Sequence, residues 1–333
     1  MRSSSRPRIL LVHISPGQLA SFVQTDVELL STIGDVRPMF FGSLIDIPRL
    51  TYEIARANLI FCWFAWSQAY WATRISRILH KPSIVVAGGF EVVSYPEIDY
   101  GGLLQSRSAG RVRLAIETAN EVLAVSTSIR EDVVRLSRKV DVRVVPLGFD
   151  PMRHPVSGVK ERLAITVGSV TKSNLARKGI SAFLELARCM PDVEFAVIGS
   201  VDLSIMDSME SHLPSNVTLT GRLSDDHRDQ WMRRAKVYVQ LSAHEGFGSA
   251  VAEAMLAGCI PVVANRGALP EVVGDAGIVV PWGDLNEARK SITLALSRTI
   301  DASYRCRERI THQFPLDRRR QALSEVALSL LAS

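Results

Sequence analysis

Short apolar runs alternate with amphipathic stretches along the whole chain, a pattern that parallel strands joined by helices satisfy and few other architectures do. Ile9–His13, Val36–Phe41, Leu59–Phe64, Ser83–Ala87, Glu121–Val125 and Asp141–Pro146 read as strands of a first half. Helices are expected between them near Phe22–Ser31, Trp71–Leu79, Arg111–Ala119 and Ser128–Ser137. A second half restarts at Leu163–Gly168 and continues through Phe195–Gly199, Val217–Thr220, Val237–Leu241, Ile260–Ala264 and Gly277–Val280. With 333 residues, each half is long enough to bury its own core. Turn formers crowd Leu147–Pro155, so the expected division is a first domain over 1–149, a linker over 150–160 and a second domain over 161–315. Leu323, Val326, Ala327 and Leu330 give 316–333 the apolar stripe of a closing helix.

Chemistry concentrates after the Val237–Leu241 run, in His244-Glu245-Gly246-Phe247-Gly248-Ser249-Ala250-Val251-Ala252-Glu253. Gly246 and Gly248 allow a sharp turn and bring backbone amides close to a ligand. From Ser249 an apolar helical face begins, and Gly258 ends it before the next strand. Strand, loop and helix in that order aim free amides and the positive end of a helix dipole at an anion, and a diphosphate suits the site. Glu245 in the loop and Glu253 in the helix would stand on the order of 10 Å apart, the span from a transferred sugar to a ribose. Carboxylates accept paired sugar hydroxyls well. The alternative is an ordinary crossover with a solvated loop glutamate and a second one favoured by the dipole.

Glu245-Gly246-Phe247-Gly248, Glu253-Ala254-Met255, Gly258, Pro261-Val262-Val263 and Gly267-Ala268-Leu269-Pro270-Glu271-Val272-Val273 resemble the carboxy-terminal donor motif of the retaining GT-B glycosyltransferases of family 4. The resemblance implies an α/β fold of two Rossmann-like domains facing a central cleft, with the last helix crossing back to the first domain. It implies that Glu245 holds the transferred sugar and Glu253 the ribose, with His244, Gly246, Phe247, Gly248 and Ser249 around the donor.

The loop Gly168-Ser169-Val170-Thr171-Lys172-Ser173-Asn174-Leu175-Ala176-Arg177-Lys178-Gly179 carries three cations between a strand and a helix, placed to neutralise a leaving diphosphate in place of a metal ion. Lys178 matches the family's Lys-Gly pair. The family's arginine position is Ser169 here, so Lys172 or Arg177 is expected to substitute, with Lys172 favoured because it falls just past the strand. Gly221-Arg222-Leu223 resembles the family segment against the nucleotide base. No Asp-x-Asp metal clamp occurs, so no metal and no cofactor are expected.

On the acceptor side the candidates are Gly17, in the loop after the first strand, and Gly88, Gly89 and Glu91. Gly88 and Gly89 would admit substrate close to the backbone and Glu91 would supply a polar group where many relatives carry histidine. A purely structural turn is the alternative for Glu91. His13 and His244 both end strands, where open sheets bind ligands.

Composition narrows the partners. A net charge of +5 suits an anionic ligand or an anionic membrane surface. No basic and aromatic nucleic-acid motif appears, so nucleic acid is not expected. Trp63, Trp66, Tyr70 and Trp71 with Arg74, Arg77 and Lys81 read either as an interfacial helix or, preferably, as a core-facing one with solvated cations. Arg130, Arg135, Arg138 and Lys139 also suit anionic lipid. Four scattered cysteines fit reduced thiols in a cytoplasmic protein. Arg2, Arg6 and Arg8 precede an apolar run too short for a signal peptide, and Leu59–Trp66 is too short to span a bilayer. The expectation is a cytoplasmic, metal-independent glycosyltransferase, acting on a nucleotide-sugar donor and a sugar or lipid-linked acceptor in cell-envelope polysaccharide, glycolipid or glycoconjugate synthesis, with peripheral membrane attachment as a variant. A sugar-nucleotide epimerase or a non-catalytic sugar-nucleotide binder is the alternative. A dehydrogenase would need a Gly-x-Gly-x-x-Gly fingerprint, which Ser15–Ala20 lacks.

Overall fold

The computed structural model describes residues 6–138, 141–156, 159–205 and 213–332. Arg2, Lys139 and linker positions 157 and 158 lie outside the described residues. The chain divides into two units, Met1–Gly148 with Leu316–Ser333, and Phe149–Pro315.

The first unit runs β1 (Arg8–His13), α1 (Ser21–Leu30), β2 (Asp35–Phe40), α2 (Ile47–Arg56), β3 (Leu59–Trp63), α3 (Ser67–Ile78), β4 (Ser83–Ala87), α4 (Ser106–Thr118), β5 (Glu121–Ala124), α5 (Thr127–Leu136) and β6 (Arg143–Val144). Its strands form one sheet in the order β2-β1-β3-β4-β5-β6, every pair parallel. Helices cover such a sheet on both faces, so β3 and β4 are buried along their whole length and read as unbroken apolar runs. The expected strand over Asp141–Pro146 shrinks to Arg143–Val144 at the sheet edge, where one neighbour is missing. The α2 helix went unread because only Leu50 and Ile54 are buried, too few to mark a period. Similarly, α3 starts before Trp71 because Gln68, Ala69, Ala72, Thr73 and Ser76 form its buried face, and small or polar residues give little apolar signal. Trp63 is fully inside this unit, while Trp66, Tyr70 and Trp71 are half-buried.

The second unit runs β7 (Glu161–Val167), α6 (Lys172–Arg177), α7 (Ile180–Arg188), β8 (Glu194–Ile198), β9 (Val217–Leu219), α8 (Asp225–Arg234), β10 (Ala235–Gln240), α9 (Ser249–Leu256), β11 (Ile260–Ala264), α10 (Leu269–Val273), β12 (Ile278–Val280), α11 (Leu285–Ser297) and α12 (Ile300–Gln313). Its parallel sheet has the order β12-β11-β10-β7-β8-β9.

The last helix, α13 (Leu316–Ala332), returns to the first unit. Leu323, Val326 and Ala327 are its buried apolar face. Arg319 on the same helix is fully buried and meets Asp26 of α1 side-on, Nε to Oδ1 at 2.6 Å and Nη2 to Oδ2 at 2.7 Å. Its Nη1 donates to the carbonyls of Val145 and Pro146, and Trp63 Nε1 donates to Asp26 Oδ2 at 2.9 Å. Every charge in this buried cluster is therefore bonded, the condition under which a buried ion pair is tolerated. No helix among the described residues is long and apolar enough to cross a membrane.

Candidate functional site

Strand order in the second sheet changes direction between β7 and β10: β8 and β9 extend from one, β11 and β12 from the other. Loops leaving the carboxyl ends of two such strands diverge, and the gap between them is where open α/β sheets bind ligands. The loop after β7 carries Gly168 to Lys178, and the loop after β10 carries His244 to Gly248.

The backbone stitches these two loops together. Gly179 has φ +69, and a Cβ there would lie 2.4 Å from the Leu241 carbonyl oxygen, so only glycine lets the start of α7 sit against the end of β10. The Ala243 amide then donates to the Arg177 carbonyl at 2.8 Å. From the other side, Gly267 at φ +55 leaves no room for a Cβ beside the Glu245 carbonyl, and the Ala268 amide donates to that carbonyl at 2.9 Å. Glu245 is thereby clamped between the α6–α7 junction and the loop before α10.

Its carboxylate is held as tightly. Lys178 Nζ donates to Glu245 Oε1 at 2.6 Å and Ser242 Oγ donates to the same oxygen at 2.8 Å. Burial alone would raise the Glu245 pKa, but Lys178, Ser242 and Arg177 outweigh it and hold the group below the usual glutamate range. His244 is buried beside it at 1% exposure. Desolvation, aided by Arg177 and Lys178 and opposed by Glu245, lowers its pKa to about 4, so at neutral pH the imidazole is uncharged. The site thus offers a fixed anion, two fixed cations and a neutral ring.

Of the two cations weighed against each other, Arg177 is the one the fold brings to this centre. Asn174 Oδ1 accepts from its Nε and Nη2 at 3.0 and 2.6 Å, and Asn174 Nδ2 in turn donates to the Ser169 carbonyl. Lys172 opens α6 just past its Thr171 cap and is exposed, absent from the surroundings of both Glu245 and His244. The α6 helix turns its first residue to solvent and brings its last beside Asn174 and the loop of Glu245.

A cavity of about 200 Å³ opens beside these loops, lined by Val167, Ser169, Gly199, Ser200, Arg222, Leu223 and Arg228 among others. Gly168 stands on the same rim, its amide bonded to the Ile198 carbonyl, and Ser200 Oγ donates to Ser169 Oγ at 3.0 Å. Arg222 is exposed at the mouth. Glu253 on α9 meets Arg228 at 3.4 Å, and Arg228 also reaches Asp225 at 3.1 Å. Desolvation raises the Glu253 pKa despite Arg228. Arg228 Nε and Asp229 Oδ1 are buried with no hydrogen-bond partner among the described residues. Arg228 went unread because it lies in the charged run Asp225–Arg234, where nothing separates it from solvated neighbours.

Phe247 does not face this space. Its ring is 4% exposed and packs between Phe149 and Phe314, with centroids 5.8 and 5.2 Å away. A large apolar side chain beside two glycines is drawn into the core, leaving only its backbone for the loop. Gly246 and Gly248 complete the turn, and Ser249 begins α9.

The acceptor-side candidates lie in the first unit. Gly17 is exposed in the loop after β1, with open space around it. Gly88 is filled rather than open, since a Cβ would lie 2.4 Å from the Phe64 ring. Glu91 takes the form of the structural-turn alternative: at 1% exposure it accepts from the amides of Gly88, Gly89 and Ala65 at 2.8, 3.1 and 3.3 Å, so its carboxylate organises the loop. Among the described residues no group of three His, Cys, Asp or Glu side chains is arranged to hold a metal ion.

Residues 161–298 match the model of the glycosyl transferases group 1 family. An MMP alpha-(1->4)-mannosyltransferase of Mycolicibacterium hassiacum is 29% identical over 201 residues, 55% of this chain and 46% of that protein. An O-antigen chain mannosyltransferase B of Escherichia coli is 37% identical over 76 residues, 23% of this chain and 20% of that protein. The matches therefore span half or less of these curated relatives. Among solved structures, Anabaena Alr3699/HepE in complex with UDP and glucose is similar with a TM-score of 0.78 at 18% identity, covering 97% of this chain and 100% of that one. Sucrose-phosphate synthase from Thermosynechococcus elongatus is similar with a TM-score of 0.79 at 17% identity, covering 98% of this chain and 100% of that one. Residues 161–298 are thus similar to the glycosyl transferases group 1 family, and the fold is that of the GT-B glycosyltransferases.

Proposed function

We propose that the protein is a retaining glycosyltransferase that moves a hexosyl group from a nucleotide-diphosphate sugar to an acceptor hydroxyl. One observation carries the reading: within the family-matched segment, the Glu245 carboxylate is clamped by Lys178 at 2.6 Å where β7 and β10 diverge. An ionised carboxylate accepts hydrogen bonds from sugar hydroxyls, each contributing about 1.5–3 kcal/mol. Glu253, with Arg228 beside it, takes the ribose at the neighbouring cavity. Lys178 and Arg177 neutralise the diphosphate, with no divalent ion needed.

In the reaction the acceptor oxygen bonds to the anomeric carbon as the carbon–oxygen bond to the diphosphate breaks. The bonding pair leaves with the diphosphate, whose departing oxygen takes the acceptor proton on the same face of the sugar. His244, neutral and buried, adds a polar wall without adding charge. The two mannosyltransferase relatives and the glycosyl class of the structural neighbours support a hexose donor and an acceptor in cell-envelope polysaccharide, glycolipid or glycoconjugate synthesis. A cytoplasmic enzyme that attaches peripherally to anionic membrane through its exposed arginines fits that role.

Thermal unfolding with UDP-, GDP-, ADP- and dTDP-sugars, with and without EDTA, tests the donor site, because a ligand that binds only the folded state raises its stability by about 2.7 kcal/mol at a hundredfold excess over Kd. One nucleotide class should shift the melting point equally with EDTA, and Glu253→Ala should abolish the shift. A shift that requires metal, or none with any donor, counts against the reading. Release of an altered nucleotide sugar without an acceptor would mark an epimerase instead.

A further inference from the structure

Tyr238, Gln240 and Ser242 stand at alternate positions along β10 and its exit, so their side chains leave the same face of the strand. They are 0%, 2% and 0% exposed, in a strand flanked by β7 and β11. Val237, Val239 and Leu241 at the intervening positions are apolar, as a central strand requires. A phenol, an amide and a hydroxyl buried in such a strand lower stability unless each is hydrogen-bonded, and valine or leucine would pack as well.

All three are bonded, and in one direction. Tyr238 Oη donates to Gln240 Oε1 at 2.8 Å, Gln240 Nε2 donates to Ser242 Oγ at 2.6 Å, and Ser242 Oγ donates to Glu245 Oε1 at 2.8 Å. Each proton points toward Glu245, and bonds aligned this way polarise one another. Oε1 also receives Lys178 Nζ, so the hydroxyl of Ser242 and the ammonium of Lys178 converge on one oxygen of the carboxylate. Lys178, Arg177 and His244 are the other titratable groups facing this carboxylate.

We propose that Tyr238, Gln240 and Ser242 are positioning residues that lock Glu245 through Oε1 and leave Oε2 as the atom presented to a sugar hydroxyl. This rests on Glu245 being the sugar-holding carboxylate. The row acts as a scaffold along the carboxyl half of the strand and its exit: it sets the rotamer of Glu245, while Lys178 sets its charge.

Two measurements on the full chain decide it. In protein carrying 13C at glutamate Cδ, with the Glu245 signal assigned by its loss in Glu245→Gln, Ser242→Ala should move the Glu245 titration upward and Ser242→Thr should restore it. Gln240→Met, one link earlier, should produce a smaller upward movement. An unmoved titration in Ser242→Ala overturns the proposal. Calorimetric titration of UDP against UDP-glucose and GDP against GDP-mannose then separates positioning from simple stability. In Ser242→Ala the sugar nucleotide that the wild type binds should weaken roughly tenfold while its bare nucleotide is unchanged. Equal losses for both overturn the positioning role. Failure of the wild type to bind any of the four counts against the proposed function, and the carboxyl titration still decides the row.

Discussion

His244 sits one residue before Glu245 and is buried with an imidazole pKa lowered from 6.5 to about 4. Because the folded pKa is depressed, the unfolded chain takes its proton first, so stability is full above pH 6.5 and is lost as pH falls toward 4. A shift of that size corresponds to about 3 kcal/mol. Glu245, also depressed, adds to the loss only below the usual glutamate range, whereas Glu253, raised by burial, works in the opposite sense and is relieved as pH falls. Urea unfolding followed between pH 6.5 and 4 should therefore give a steep fall in stability for the wild type and a flatter one for His244→Gln. Equal slopes would mean that His244 titrates normally. The acidic and basic members of the candidate site stood out in the sequence at this scale because they fall in a glycine-rich loop directly after an apolar run. What escaped reading was direction: Phe247 turns inward against Phe149 and Phe314, far along the chain, Glu91 turns onto its own loop, and Lys172 turns to solvent. Tyr238 and Gln240 did leave a trace, as polar residues inside the otherwise apolar run Val237–Leu241.

Between elements, the site depends on how closely α7 approaches the end of β10. Gly179 and Gly221 share φ +69, yet Gly179 abuts the Leu241 carbonyl and Gly221 has open space where a Cβ would stand. Alanine at either position costs the left-handed conformation, about 1 kcal/mol. At Gly179 the backbone clash adds to it, for a total on the order of 3 kcal/mol, and moves Lys178 away from Glu245. Denaturant midpoints should rank wild type, Gly221→Ala and Gly179→Ala in falling order, and nucleotide-sugar binding should drop in Gly179→Ala beyond what its lost stability explains. Comparable midpoints for the two variants would show that the approach relaxes at little cost. Central strands such as β4 and β11 matched their apolar runs to the residue, since both neighbours and both faces demand burial. Edges and polar-faced helices did not, because β6 has one neighbour and α3 buries alanine, serine and threonine, residues that carry no periodic signal.

For the molecule as a whole, the chain leaves its first unit at Gly148, builds the second, and comes back at Leu316. The two crossings run side by side, with the Phe149 amide donating to the Phe314 carbonyl at 2.9 Å. What holds the returning helix is the pair Arg319–Asp26, whose side chains are 2% and 0% exposed. Sequence marked α13 by its apolar stripe but gave no hint of this pair, since an arginine among Asp317, Arg318 and Arg320 looks like a solvated one. Removing one partner strands the other charge in the core, which costs about 3–5 kcal/mol, more than any single apolar contact of α13 provides. Arg319→Met should therefore lower the stability of the first unit by that amount, and Arg319→Lys should recover only part, because an ammonium cannot meet both Asp26 oxygens and two carbonyls with one planar fork. Replacing both charges, Asp26→Leu with Arg319→Met, should cost less than Arg319→Met alone. Hydrogen exchange locates the effect: amides of α1 and α13 should exchange faster in Arg319→Met while those of β10 and β11 keep their wild-type protection. Faster exchange in β10 and β11 to the same degree would instead mean that the clasp stabilises the second unit as much as the first.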